Sequence, residues 1–332
     1  MKSLLASTCL AFGLLAGAAA GQAAECGTVT IATMNWQSAE VLSSVDEMIL
    51  TEGYGCEVEM TTGDTVPTIT AMAEKGQPDI APEAWIDALP DIVKKGVDQK
   101  KIVIAATALP DGGINGWWIP KYIADAHPDI KTIQDALQHP DLFPDPEDPA
   151  RGAVYTGPQG WGAAGITAQF YKAYDAEKAG FTLVDPGSAA GLDGAIAKAY
   201  EQKKGWLGFY WSPTALLGKY EMVKLDWGVP FDAAAWKCIT VPECPDPKPS
   251  AWPVDHVVTL ISTKFSETAD PAVLDYLNTR GWSNDTVGKL MAWMTDNQAT
   301  GKEGARHFLK ENAAIWEKWV SPEAAGKIKA AL

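Results

Sequence analysis

The sequence is poor in the side chains and motifs that enzymes use for acid–base and nucleophilic chemistry. It has four histidines in 332 residues, and none of them lies beside a serine or cysteine nucleophile motif. The GxSxG pattern of serine hydrolases and the HExxH pattern of zinc proteases are both absent. These absences argue against catalysis and leave an exported enzyme as the weaker alternative.

Positive charge and long apolar runs are scarce as well. The 27 Lys and Arg residues against 42 Asp and Glu residues give a net charge of −15, which argues against binding to nucleic acid or to an anionic membrane surface. The apolar run at residues 4–20 follows Lys2, is short for a membrane span and leads to the small residues Ala23 and Ala24. This is the pattern of a signal peptide over residues 1–24, with a retained membrane anchor as the alternative.

Cysteine is rare, and its spacing does not suit a metal. Outside the apolar run the chain has Cys26, Cys56, Cys238 and Cys244, and an even number in an exported protein predicts disulfides. Cys26 and Cys56 each lie at the start of a predicted strand, so they share an edge if those strands are parallel neighbours. Cys238 and Cys244 would close a small loop. Zinc is the less favoured alternative, because neither pair is CxxC and no histidine shares the spacing.

Residues 28–62 have the pattern of a βαβ unit. Residues 28–34 alternate and are β-branched, residues 38–52 carry apolar side chains at helical spacing, and residues 56–62 alternate again. A βαβ unit predicts parallel strands joined by a right-handed crossover.

Two tryptophans of this first unit come directly after predicted strands. Trp36 follows the strand at 28–34, and Trp85 ends the turn PEAW, residues 82–85, after a short strand at 79–81. Open α/β sheets bind ligands at the carboxyl ends of their strands, so we expect the two rings near one another at a ligand site. Neither turn carries GxGxxG or a P-loop, which argues against a nucleotide.

A second unit repeats this arrangement. A strand at 153–155 leads into a glycine-rich turn that contains Trp161, and a strand at 205–210 ends at Trp211. Gly162 and Ala163 follow Trp161 where a helix begins, so their free backbone N–H groups favour a negative oxygen.

The rest of the chain connects and covers these units. We expect a strand at 102–106, a crossing strand at 114–120 that ends at a proline, and a returning strand at 254–262. Asn35 and Gln37 are predicted to cap the first helix and line the turn, with contact to a polar head of the ligand as the less favoured alternative. The acidic loop at 141–148 is predicted to be solvated, with Ca²⁺ binding as a less favoured alternative because its spacing departs from the EF-hand. The helical C-terminal region, residues 271–332, buries its tryptophans in the core: Trp282, Trp293, Trp316 and Trp319.

Four tryptophans on rigid turns predict a ligand with a soft, methylated cation. A quaternary ammonium has no N–H to donate, so cation–π attraction and contact with its methyl groups must hold it. Tryptophans also stack on sugars, but sugar sites need many polar side chains, and these turns have few. A sugar or another neutral solute is therefore the alternative ligand.

The residues above resemble a known family. The Trp85 turn, the segment Gly160–Trp161–Gly162 that opens a helix, and the segment FYWSP at 209–213 are similar to those of periplasmic substrate-binding proteins for glycine betaine, proline betaine and choline. The resemblance, to the ProX/OpuAC type, covers essentially the whole mature chain.

This resemblance implies a fold and a domain division. The fold is α/β, a two-lobed periplasmic binding protein of type II, the Venus-flytrap type. Each lobe has a mixed, mainly parallel sheet flanked by helices. Lobe 1 comprises residues 25–118 and 257–332, and lobe 2 comprises residues 119–256.

The resemblance also implies a binding site between the lobes. Trp85, Trp161 and Trp211 form an ammonium cage, Trp36 adds a further aromatic wall, and Trp117 or Trp118 closes the cage from the hinge side. The backbone N–H groups of Gly162 and Ala163 would receive a ligand carboxylate. No cofactor and no metal are expected.

The sequence departs from the glycine betaine pattern after the first cage tryptophan. Relatives that bind glycine betaine place a hydroxyl and a histidine there, whereas this chain has Ile86 and Leu89. It has an acid instead, Glu83, two residues before Trp85, which would attract a cation or accept a hydrogen bond from a hydroxyl. The alternative is that Glu83 points to solvent. The missing hydroxyl and histidine, together with Glu83, shift the expected ligand from glycine betaine towards choline, carnitine or trimethylamine N-oxide.

The expected partners are an ABC transporter permease and its ATPase, and the protein is expected to be a monomer in the periplasm.

Overall fold

The computed structural model describes residues 26–332, so the signal peptide predicted for residues 1–24 lies outside the described residues. The described chain is a mixed α/β structure built on one large sheet. Its strands are β1 (Thr28–Met34), β2 (Glu57–Gly63), β3 (Ile80–Trp85), β4 (Ile102–Pro120), β5 (Gly152–Tyr155), β6 (Phe181–Val184), β7 (Gly208–Ser212), β8 (Met222–Lys224) and β9 (Asp255–Ser262).

Helices flank the sheet and make up most of the C-terminal region. Short helical turns lie at Ile49–Gly53, Ile86–Ala88 and Pro140–Leu142. The α-helices are α1 (Gln37–Met48), α2 (Thr65–Lys75), α3 (Pro90–Asp98), α4 (Lys121–Ala126), α5 (Ile133–Ala136), α6 (Gly162–Ala173), α7 (Ala189–Gln202), α8 (Ala215–Lys219), α9 (Ala233–Ile239), α10 (Thr263–Thr268), α11 (Pro271–Thr279), α12 (Asn284–Asn297), α13 (Gly301–Glu311), α14 (Ala313–Trp316) and α15 (Pro322–Ala331).

The sheet has two halves. Its strand order is β2-β1-β3-β9-β4-β7-β5-β6, and β8 pairs with β4. In the first half β1 runs parallel to β2 and β3, and in the second half β5 runs parallel to β6 and β7. β9 lies between β3 and β4 and runs antiparallel to both. The predicted α/β class, with mixed sheets flanked by helices, is confirmed.

Strand β4 belongs to both halves. It pairs with β9 from Ile102 to Gly113, and from Ile114 onward it pairs with β7 and β8. The sequence predicted two strands here, but shifts of register in the β4–β9 pairing let one strand continue through the intervening residues. The predicted lobe boundaries after residues 118 and 256 remain a prediction.

The cysteine pairing expected from the sequence is present. Cys26 is bonded to Cys56, and Cys238 is bonded to Cys244. The first bond follows from the parallel register of β1 and β2, in which Thr28 lies opposite Glu57. Among residues 26–332, no helix combines the length and the apolarity that crossing a bilayer requires.

Three of the four C-terminal tryptophans lie in the core as predicted. Trp282, Trp316 and Trp319 are buried. Trp293 is only partly buried, and its ring stacks on that of His307 with 3.8 Å between the centroids.

Several predicted bounds were wrong. β3 runs through Trp85, so PEAW lies in a strand and not in a turn. Pro82 is tolerated there because the pairing of β3 with β9 is irregular between Ala81 and Ala84. Strand β6 and helix α9 were not predicted.

Candidate functional site

A cavity lies between the two halves of the sheet, at the carboxyl ends of β1 and β3. The volume open to the centre of a water molecule is about 40 Å³, so the cavity suits a compact ligand. Half of the residues that line it are aromatic, and they come from both halves of the sheet: Trp36, Thr65, Trp85, Ala88, Asn115, Trp161, Gly162, Ala163, Phe209, Trp211, Trp252 and Asp255.

Four of the predicted tryptophans meet at this cavity. Trp36, Trp85, Trp161 and Trp211, here called the tryptophan cage, are each buried and each line it. Trp161 lies edge-on to Trp36 at 5.2 Å and 74°, and edge-on to Trp211 at 5.1 Å and 82° between ring centroids. Rings at right angles wall a cavity on several sides, so π faces can surround a bound cation.

The position of Trp85 depends on the absence of a side chain in β4. A Cβ atom added at Gly113 would lie 1.9 Å from the indole of Trp85, a distance at which the two atoms would overlap. The indole therefore lies directly against the backbone of β4, and β4 forms the wall behind it.

The carboxylate of Glu83 connects two rings of the cage. Glu83 is 1% exposed, so it does not point to solvent. Its Oε1 accepts hydrogen bonds from the indole N–H of Trp36 at 2.8 Å, the indole N–H of Trp85 at 2.9 Å and the hydroxyl of Ser38 at 2.9 Å. The second oxygen, Oε2, is buried without a hydrogen-bond partner among residues 26–332. Glu83 itself is not part of the cavity lining.

Burial also changes the protonation of Glu83. Loss of solvent raises the pKa of this carboxyl, although the bonds from Trp85, Trp36 and Ser38 and the charge of Arg280 act in the opposite direction. A raised pKa favours the neutral acid, which can donate a hydrogen bond as well as accept one.

The start of α6 presents backbone N–H groups to the cavity. Gly160 has φ +92°, a conformation that favours glycine, and its carbonyl accepts the N–H of Val66 from the other half at 2.9 Å. Gly162 and Ala163 occupy the first two positions of α6 and line the cavity. Amides at a helix start have no partner within the helix and favour a negative oxygen.

Asn35 and Gln37 do not cap α1, so that prediction was wrong. No side chain caps the start of this helix. Asn35 instead accepts the indole N–H of Trp161 at 2.6 Å, a bond between the two halves, and the amide of Gln37 donates to Thr295 at 3.1 Å.

Trp117 and Trp118 do not line the cavity. Trp117 is fully buried and lies near Tyr174, with 6.4 Å between ring centroids. The indole N–H of Trp118 donates to the carbonyl of Tyr210 at 2.9 Å. Both rings stabilise the second half of the sheet, and their positions argue against the predicted contact with a ligand.

The structure adds lining residues that sequence reasoning missed. Phe209 could have been found, because side chains two apart on a strand share a face and Trp211 is already in the cage. Asn115 and Asp255 lie on β4 and β9 near the crossing between the halves, and both are buried. The amide of Asn115 donates to Asp255 Oδ2 at 3.2 Å. No motif signals these two residues in the sequence.

Nucleotides and metals have little support. Residues 160–165 have the GxGxxG spacing, with Gly162–Gly165 inside the first turn of α6, and a lone match of this kind is a weak signal for a dinucleotide. Within residues 26–332 no three His, Cys, Asp or Glu side chains converge as a metal site. In the acidic loop, the carboxylate of Asp145 accepts the backbone N–H groups of Glu147 and Asp148.

Comparisons with known proteins agree with this geometry. Residues 27–311 match the OpuAC family, described as the substrate-binding domain of ABC-type glycine betaine transport systems. Among solved structures, an ABC-transporter choline-binding protein in complex with choline has a TM-score of 0.74 and 18% identity, over 92% of this chain and 98% of that chain.

Two further solved structures share the fold. The glycine betaine/L-proline-binding protein ProX of Borrelia burgdorferi has a TM-score of 0.71 and 19% identity, over 91% of this chain and 99% of that chain. Lactococcal OpuAC, closed on glycine betaine, has a TM-score of 0.67 and 21% identity, over 89% of this chain and 100% of that chain. These likenesses establish the two-lobed binding-protein fold.

Proposed function

The chain belongs to the OpuAC family of ABC-transporter substrate-binding domains, and we propose that it captures a small methylated ammonium compound in the tryptophan cage. The family consists of transport components, so the chain is not an enzyme. Exported to the periplasm by the predicted signal peptide, a monomer would deliver its ligand to a permease powered by an ATPase.

The tryptophan cage is the observation that carries this proposal. Four buried rings from both halves enclose a small space, and a quaternary ammonium offers them a diffuse charge and methyl groups. Each desolvated ring contributes on the order of 1–2 kcal/mol by cation–π attraction. Because the rings come from both halves, ligand binding and lobe closure favour one another.

The polar groups around the cage narrow the choice of ligand. Among residues 26–332, Glu83 Oε2 is buried without a hydrogen-bond partner. Because Glu83 lies outside the lining, its carboxylate would attract a cation such as choline through the field behind Trp36 and Trp85 and not by direct contact. A sugar is disfavoured because Thr65, Asn115 and Asp255 are the only polar side chains in the lining.

A calorimetric panel tests the proposal. The purified mature protein is titrated with glycine betaine, choline, carnitine, trimethylamine N-oxide, maltose and glucose. We expect saturable binding and tryptophan quenching with at least one methylated amine and none with either sugar. Binding of a sugar alone would refute the proposal.

The variant Trp211→Ala tests whether the cage holds the ligand. We expect its affinity for the best methylated amine to fall more than about tenfold, because one π face of the cage is lost. Trp293→Ala is the control, since Trp293 packs on His307 outside the cavity. Equal affinities of Trp211→Ala and wild type, with normal circular dichroism, would remove Trp211 from the site.

A further inference from the structure

Asp255 places a buried carboxyl in the wall of the cavity. It is the first residue of β9 and is 1% exposed. Its Oδ1 accepts the backbone N–H of Asp87 at 3.1 Å, and its Oδ2 accepts the amide of Asn115 at 3.2 Å. Both donors are uncharged, so neither neutralises an ionised Asp255.

The groups around Asp255 do not supply a compensating positive charge at close range. The turn after β3 presents Asp87, whose carboxylate accepts from the backbone and the ring of His256. The ring of His256 lies mostly in solvent, with its side chain 75% exposed. β4 presents the neutral Asn115, and α6 presents its uncharged N-terminus across the cavity. Burial, followed by the charge of Asp87, raises the pKa of Asp255 well above its ordinary value.

We propose that Asp255 is a specificity-determining residue of the tryptophan cage, favouring ligands with a net positive charge over zwitterions that carry a carboxylate. This inference rests on the proposed function. A cation held beside Asp255 supplies the missing positive charge, whereas a ligand carboxylate adds a second negative charge to the same small space.

The proposal couples ligand binding to proton transfer. A bound cation lowers the pKa of Asp255, so choline binding releases a proton and tightens as the pH rises through that pKa. A bound carboxylate raises the pKa further, so glycine betaine binding takes up a proton and weakens over the same range. The two ligands therefore have opposite pH dependences.

Calorimetry of the wild type in buffers of different ionisation enthalpy measures these protons directly. We expect proton release with choline and proton uptake with glycine betaine in at least part of the range between pH 5 and 9. This measurement needs no variant. If ligands bind but exchange no proton at any pH, the proposal is wrong while the proposed function stands. If no methylated amine binds, the proposed function itself fails.

The variant Asp255→Asn assigns the proton to this residue. Asparagine keeps the shape and one of the two acceptor oxygens but cannot ionise. We expect choline affinity to fall about tenfold or more at the alkaline end, glycine betaine affinity to hold or rise, and proton exchange to fall to what Glu83 alone contributes. Asp193→Asn is the matched control, because burial raises the pKa of this acid too and it lies outside the cage cavity, bonded to Tyr210. An unchanged choline to glycine betaine ratio in Asp255→Asn would overturn the proposal.

Discussion

At the scale of single residues, Glu83 shows how one carboxyl can organise an aromatic site. A single oxygen accepts from the indoles of Trp36 and Trp85, which come from different segments of the chain. A ring held by both its packing and its N–H has little freedom to turn, so Trp36 and Trp85 are ordered before a ligand arrives. The contact of Glu83 with the ligand stays a prediction; its bonds to the indoles and its absence from the lining favour a position behind the rings.

Two substitutions of Glu83 separate its possible roles. Glutamine retains an acceptor for the indoles and a donor like that of the neutral acid, whereas alanine retains neither. If Glu83 mainly orients the rings, we expect Glu83→Gln to bind within a few-fold of wild type and Glu83→Ala to lose about tenfold or more for every ligand. Calorimetry with choline and trimethylamine N-oxide measures both.

A second pattern of affinities would instead support a direct attraction between Glu83 and a cationic ligand. A large loss of choline binding in Glu83→Gln, with trimethylamine N-oxide unaffected, would mean that the charge of Glu83 attracts the cation. Thermal unfolding of both variants controls for a general loss of structure.

At the scale of elements, β4 is both a strand and a wall of the site. Gly113 lies under the indole of Trp85, and Gly116 lies on the same strand beside the side chain of Lys224. A methyl group added at Gly113 would meet the fixed indole of Trp85, whereas one added at Gly116 would meet the flexible side chain of Lys224.

This contrast predicts different outcomes for two similar substitutions. We expect Gly113→Ala to displace Trp85, with a cost of about 1–3 kcal/mol in stability and a clear loss of ligand affinity. Gly116→Ala is the matched control and should bind nearly as wild type, because Lys224 can move. Chemical denaturation and calorimetry measure the two effects, and normal binding by Gly113→Ala would contradict the assigned wall.

The elements also show what a single sequence can and cannot reveal. Alternation, helical spacing and the carboxyl-end rule were enough to predict the first βαβ unit and to point to four of the five tryptophans that line the cavity, because these signals are local; Trp252 was missed. Asn115 and Asp255 come together only because β9 is inserted between β3 and β4. That pairing joins segments far apart in the chain. The sequence predicts a returning strand at 254–262, but no local pattern indicates that it pairs with β3 and β4.

At the scale of the whole molecule, the two halves are in contact across the cavity. Asn35 accepts the indole N–H of Trp161, and the carbonyl of Gly160 accepts the N–H of Val66. Both bonds join the first half to the turn before α6. If the two halves separate to admit a ligand, as the proposed function requires, both bonds break.

Removing one of these bonds should weaken binding without unfolding the protein. We expect Asn35→Ala to lose about 0.5–1.5 kcal/mol of binding free energy, a factor of roughly two to twelve in affinity. Its thermal stability should remain near that of wild type, since neither half loses an internal contact. Gln37→Ala is the control, because its bond to Thr295 lies within the first half. Equal affinities of the two variants would show that the bond does not contribute to closure.

The place of β9 has a consequence for the order in which the sheet is completed during synthesis. β3 and β4 belong to one sheet, yet they do not touch as neighbours, because the strand between them is Asp255–Ser262. When the chain is made from its amino terminus, the edges of β3 and β4 that pair with β9 therefore stay unpaired until the whole second half of the sheet has been made. The first half of the sheet, which begins with β1, is completed only when β9 is added.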